Sequence, residues 1–132
     1  RNAWNDKMVA AVASVEPDLV VSAGFMRLLG PAFVREFEGR TINTHPSLLP
    51  SFPGAHAVRD ALEHGVKVTG CTVHYVDAGL DSGEIIAQRP VEVEAGDTES
   101  ELHERIKKVE REQIVHLLHN VEIVNGKAVF NV

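Results

Sequence analysis

Apolar side chains recur along this chain with two periods, and the places where the period changes mark its elements. Trp4, Met8, Val9, Val12 and Val15 return mostly at every third or fourth position, with Asn5 and Asp6 near the start, which predicts a helix over 4–15. Glu16-Pro17 ends it, because a residue before proline is pushed out of the α region. The run Leu19-Val20-Val21 within 18–24 predicts a short strand, and an apolar run beside a helix suggests burial on both faces of a parallel sheet. Residues 24–30 form a loop bounded by glycines, and Pro31 opens a short helix over 31–37. Residues 40–45 read as the next strand. Pro46, Pro50 and Pro53 make 46–53 an irregular loop. A helix follows over 54–65, with Ala57, Val58, Ala61 and Leu62 on one face and Gly65 as its stop. Strands are predicted over 66–76 and 84–93, with Gly79, Asp81, Ser82 and Gly83 in the turn between them. Thr98 and Glu101 have the spacing of a capping box and open a helix over 98–118. Asn125-Gly126 between two apolar-rich segments predicts a closing hairpin.

This order gives an α/β domain whose first half is largely parallel and whose C-terminal part is antiparallel. At 132 residues the chain is one domain, 1–132, with no internal repeat or linker. Lys and Arg number 13 against 19 Asp and Glu, a net charge of −6, so the basic footprint of a nucleic-acid binder is absent. Hydrophobic residues at 44% and charged residues at 24% are ordinary for a soluble domain, which points to the cytoplasm. The apolar runs are far too short to cross a membrane. The single cysteine, Cys71, excludes an internal disulfide and a cysteine-based zinc site, and reads as a small buried hydrophobe. The chain starts Arg-Asn-Ala, directly in helix-like sequence, and is expected to be part of a longer one.

The candidate chemistry lies at the end of the 40–45 strand. Asn43 and His45 are two apart, so their side chains share a face. They precede the proline-rich loop, at the C-terminal strand edge where open α/β sheets bind ligands. An amide can donate a hydrogen bond to a developing oxyanion, and an imidazole beside it can act as general acid or base. Asp81, in its glycine-rich turn, could orient or charge that imidazole. The plain alternatives are a structural strand-end histidine, an asparagine that forms a turn, and an ordinary Asp-Ser-Gly turn. His116 and His119 lie three apart with no third ligand near, so no metal is expected. His74 reads as packing on its sheet. Arg105, Lys107, Lys108 and Arg111 interleave with Glu104, Glu110 and Glu112 as a solvated helix face.

Asn43-Thr44-His45-Pro46-Ser47-Leu48-Leu49-Pro50, with Ser51-Phe52-Pro53-Gly54 after it, resembles the signature of the folate-dependent formyltransferases. Gly79-Leu80-Asp81-Ser82-Gly83 resembles that family's second signature, and 24–29 resembles its folate-pocket loop. The resemblance runs from Arg1 to about Val115. It implies the formyltransferase fold: a Rossmann-like, largely parallel sheet with helices on both faces, here the C-terminal two-thirds of the domain without its first βαβ unit. It implies that 10-formyltetrahydrofolate is the formyl donor and the amino group of glycinamide ribonucleotide the acceptor, in purine biosynthesis. Asn43 would polarise the formyl carbonyl, His45 would be the general acid, and Asp81 would hold His45 and raise its pKa. No metal and no covalent enzyme intermediate are implied. Arg1, Met26, Arg27, Leu28, Leu29, Asn43, Asp77, Ala78, Gly79, Leu80 and Asp81 would contact the folate. Lys107, Lys108, Val109 and Glu110 would lie near the ribonucleotide, with Glu110 on its ribose hydroxyls. Leu49-Pro50 matches the family's cis-prolyl position.

The family's phosphate-binding loop lies in the unit that precedes this sequence, so these 132 residues by themselves are expected to be inactive or nearly so. Three alternatives accompany this reading. A formyltetrahydrofolate hydrolase would use water as acceptor with the same three residues. A tRNA-directed member would continue differently after Pro50 and carry a basic extension. A non-catalytic fragment would need none of the three.

Overall fold

Each predicted period becomes an element, most with their ends trimmed by a residue or two. The computed structural model describes residues 2–23, 31–77 and 82–132, with the backbone alone at 2–5, 23 and 31. In chain order the elements are α1 (Asn2–Ala13), β1 (Val20–Ala23), α2 (Pro31–Glu36), β2 (Thr41–His45), α3 (Ala57–His64), β3 (Val68–Tyr75), β4 (Ile85–Glu92), α4 (Glu99–Leu118), β5 (Val121–Val124) and β6 (Lys127–Phe130). Helix α1 stops two residues before Val15, and Glu16 enters the left-handed region at φ 49° ahead of Pro17. Helix α3 begins at Ala57, later than expected, because the chain first turns through Phe52 at φ 51° and Gly54 at φ 96°. Gly65 closes α3 in the left-handed conformation, its N–H reaching the carbonyls of Ala61 and Leu62.

The main sheet has the order β1-β2-β3-β4, and β5-β6 form a separate hairpin. Strands β1 and β2 are parallel, and β2–β3 and β3–β4 are antiparallel. The domain is therefore α/β as expected. Its parallel part is the β1–β2 pair, and the antiparallel part begins at β3. One expectation fails: β1 is not covered on both faces. Val21 is 39% exposed, because among the described residues β1 lies at the sheet edge.

The pleat sorts the sheet's side chains into two sets. Ile42 and Thr44 share one face of β2 with Cys71 and Val73 of β3, through the pairings Ile42 with Tyr75 and Thr44 with Val73. Helix α4 covers that face. Leu102 and Ile106 join Cys71, Val58 and Val91 in one cluster, and Leu117 joins Ile42 and Val73 in another. Each large aliphatic side chain buried in this way contributes about 1.5–3 kcal/mol.

Helix α4 is fixed at its start. Thr98 accepts from the Glu101 N–H while the Glu101 carboxylate accepts from the Thr98 N–H, which completes the predicted capping box. The Arg105 guanidinium grips Asp97 with two 2.9 Å bonds and also reaches the Glu92 carbonyl, tying the first turns of α4 to the end of β4. The hairpin joins the body through the Tyr75 hydroxyl, which donates to the Ala128 carbonyl at 2.7 Å.

Candidate active site

The opposite face of the sheet is polar. Asn43 and His45 on β2 share it with Thr72 and His74 on β3, as the pairings Asn43 with His74 and His45 with Thr72 require. His45, Thr72 and His74 are all buried there. Buried polar groups need partners, and the bonds they make define this site.

His74 and Asn43 form a directed pair. The His74 Nδ1 lies 2.9 Å from the Tyr75 carbonyl, which can only accept, so Nδ1 carries the proton. With the proton on Nδ1, Nε2 faces the Asn43 Nδ2 at 3.3 Å as its acceptor. The pair thus sets the amide orientation: one N–H of Asn43 goes to His74, and the other remains for an acceptor in front of the strand end.

His45 is oriented by the loop that follows it. Its Nε2 lies 2.9 Å from the Phe52 carbonyl, which can only accept, so Nε2 bears a proton and the ring's direction is set by the loop. The left-handed backbone at Phe52 is part of the turn that brings this carbonyl back. Ser47 braces the same turn, with its hydroxyl 2.5 Å from the Ser51 carbonyl and 3.3 Å from that of Phe52.

Beneath the loop, the Thr72 hydroxyl donates to the Ser47 carbonyl at 2.7 Å and accepts from the Leu49 N–H at 3.1 Å. The Gln88 amide bonds both the Leu49 carbonyl and Thr72 Oγ1. The Leu49–Pro50 peptide bond is cis, as expected. Gly70 allows this loop its close seat: a Cβ there would lie 2.7 Å from Leu48 Cδ2 and 2.1 Å from the Arg89 carbonyl.

The remaining expected residues fall into separate groups. Asp81, Arg1, Met26, Arg27, Leu28, Leu29, Ala78, Gly79 and Leu80 lie outside the described residues. Asp77 is exposed, and its carboxylate accepts from the Ser82 hydroxyl at 3.0 Å. Lys107 to Glu110 are consecutive helical positions, so they point in different directions. Lys107 pairs with Glu104 at 3.3 Å, Lys108 is exposed, and Val109 packs against the core. Of these, Glu110 reaches β2, where its Oε2 accepts from the Thr44 hydroxyl at 2.6 Å.

Sequence reasoning missed His74, Thr72, Ser47 and Gln88. The available signal was Thr72 and His74, polar residues two apart that alternate with Cys71 and Val73 in one strand. Among the described residues no group of His, Cys, Asp and Glu is placed to hold a metal ion, and no helix is long and apolar enough to cross a membrane.

An amide and an imidazole at one strand end, backed by a braced proline loop, put a hydrogen-bond donor for a developing oxyanion beside a group able to transfer a proton. Residues 1–118 match the formyl transferase family, and the chain belongs to it. Phosphoribosylglycinamide formyltransferase of Mycobacterium tuberculosis is 59% identical over 133 residues, covering 97% of this chain and 62% of that protein. The trifunctional purine biosynthetic protein adenosine-3 of Drosophila melanogaster is 43% identical, over 99% of this chain and 10% of its own length. The crystal structure of glycinamide ribonucleotide transformylase 1 from Symbiobacterium toebii superposes with a TM-score of 0.86 at 41% identity, covering 98% of this chain and 64% of that one. The chain thus spans less than two-thirds of the length of these relatives.

Proposed function

We propose that the whole protein carrying this chain transfers the formyl group of 10-formyltetrahydrofolate to the amino group of glycinamide ribonucleotide, in cytoplasmic purine biosynthesis. The observation that carries this reading is the pair at the end of β2: an Asn43 amide held with one N–H to spare, beside a buried, loop-oriented His45. The 59% identity to the mycobacterial phosphoribosylglycinamide formyltransferase supports the choice of acceptor.

In this mechanism the free amine attacks the formyl carbon. The spare Asn43 N–H bonds the oxygen as it gains charge, an interaction that strengthens toward the tetrahedral intermediate. His45 stabilises the same intermediate and helps carry the amine's proton to N10 of the folate. The bond from carbon to N10 then breaks, leaving formylated ribonucleotide and tetrahydrofolate. Asp81 serves to favour the charged form of His45. The folate is held by Arg1, by 26–29 and by 77–81. Glu110 accepts from the ribose hydroxyls, with Lys107, Lys108 and the backbone at Val109 near the ribonucleotide. Residues 1–132 act as one formyltransferase domain in this scheme.

The test is an assay of the whole protein with 10-formyltetrahydrofolate, with and without glycinamide ribonucleotide. Tetrahydrofolate should appear only with the ribonucleotide. Equal release of formate and tetrahydrofolate in its absence would make the protein a hydrolase and overturn the reading.

A further inference from the structure

The alternation along β2 sends Asn43 and His45 to one side and Thr44 to the other, under α4. Thr44 sits there among apolar neighbours, paired with Val73 and only 9% exposed. Packing alone would favour a valine at such a position, because a hydroxyl buried there must find a partner. Its partner is the Glu110 carboxylate, 2.6 Å away and 66 positions later in the chain. A bond of this kind is short and charge-assisted.

The carboxylate is the unusual half of the pair. Glu110 is half-buried, yet no cation among the described residues is within ion-pair distance of it. Basic residues surround it on the same helix: Lys107 is committed to Glu104, and Lys108 and Arg111 are exposed. A charge kept partly buried without a counter-ion costs stability, and such a cost is typically met where the group is used. The hydroxyl holds Oε2 and does not neutralise it. A carboxylate held through one oxygen keeps lone pairs for further donors, and its two oxygens match the two donors of a vicinal diol.

We propose that Thr44 is a positioning residue that sets the Glu110 carboxylate for the ribose of the ribonucleotide substrate. The proposal rests on the reading of Glu110 as the ribose-binding group. Thr44 touches neither substrate. It removes the rotamer freedom that Glu110 would otherwise lose on binding. It also ties the carboxylate to the β2 residue that lies between Asn43 and His45 in sequence, on the opposite face of the strand.

The experiment is steady-state kinetics of the whole protein with Thr44→Val, Thr44→Ser, Glu110→Gln and the double variant Thr44→Val/Glu110→Gln, with thermal melts of each. Thr44→Val keeps the shape and should raise KM for glycinamide ribonucleotide about three- to tenfold, the worth of one net hydrogen bond. KM for the folate and kcat should stay within about twofold, a margin smaller than the loss of one net hydrogen bond would produce. Thr44→Ser keeps the hydroxyl and should restore most of the affinity. In the Glu110→Gln background, Thr44→Val should add little, because the partner charge has already gone. If Glu110→Gln raises that KM while Thr44→Val leaves it unchanged, the positioning role is overturned and the ribose-binding reading stands. If Glu110→Gln has no effect on it, the ribose-binding reading fails first. If Thr44→Val and Thr44→Ser lower the melting temperature alike and raise both KM values, Thr44 is a packing residue only. Should Thr44→Val not fold, Thr44→Ala in the same comparison carries the same outcomes.

Discussion

The two faces of the β2–β3 pair are a residue apart in sequence and opposite in chemistry. Under α4, Ile42, Cys71 and Val73 are fully buried among apolar neighbours that include Leu102, Ile106 and Leu117. On the other face His45, Thr72 and His74 are buried as deeply, but each is held by hydrogen bonds to loop or backbone atoms. Burial therefore means two things in one sheet. On the α4 face it removes apolar area from water and is non-directional. On the loop face it fixes direction, since each polar atom must point at its partner. Apart from the Thr44–Glu110 pair, the first face supplies stability, and the second supplies the directed geometry that a formyl transfer would need.

The largest separation of the two should come from His45→Ala. In the whole protein kcat should fall about 10²–10⁴-fold, the usual worth of general acid–base help. Circular dichroism should still show a folded molecule, and unchanged turnover would place the chemistry elsewhere. The converse is Ile106→Ala on the α4 face, expected to cost about 2–5 kcal/mol in urea unfolding while kcat per folded molecule holds. A selective loss of kcat there would mean that the faces are not separable. Thr72→Val tests the boundary between them. It deprives the Ser47 carbonyl, the Leu49 N–H and the Gln88 amide of one partner, and should cost about 1–3 kcal/mol. Because that loop also orients His45, kcat should fall as well, and a purely stability effect would detach the loop from the site.

The smallest effect should be seen in acid. The Arg105 bonds to Asp97, helped by the Glu94 N–H, hold the Asp97 carboxyl below its ordinary value of 3.8. A carboxyl lowered in the folded state adds stability above its unfolded pKa and loses it as pH falls through the folded one. The whole protein should therefore lose stability below about pH 4 more steeply than its Asp97→Asn variant, measured as unfolding midpoint against pH. Parallel curves would show that the clamp acts without its charge.

Much of this architecture is local in origin and could be read from the chain. Residue type and spacing expose the capping box at Thr98, the glycine stop at Gly65 and the shared face of Asn43 and His45, because each depends on neighbours within four positions. The partners of those residues could not be read in this way. His74 meets Asn43 across 31 positions and Glu110 meets Thr44 across 66, through a register that no local pattern specifies. Val21 misled for the same reason: the apolar run foretold a covered strand, and exposure was decided by what lies beside β1.

Cys71 has a use that lies outside catalysis. The thiol is fully enclosed between β3 and α4, and burial, followed by the Glu110 charge, pushes its pKa up to about 11. Only the thiolate reacts with alkylating reagents, so the folded molecule should be silent toward them at neutral pH. Labelling can then proceed only in the moments when α4 lifts from the sheet. Because this is the chain's single cysteine, modification in these 132 residues reports one event at one place. With opening fast relative to modification, the labelling rate divided by that of the unfolded chain gives the opening equilibrium of α4 directly. The chain thus carries a native clock for the departure of the helix that bears Glu110, readable by mass spectrometry without adding a probe.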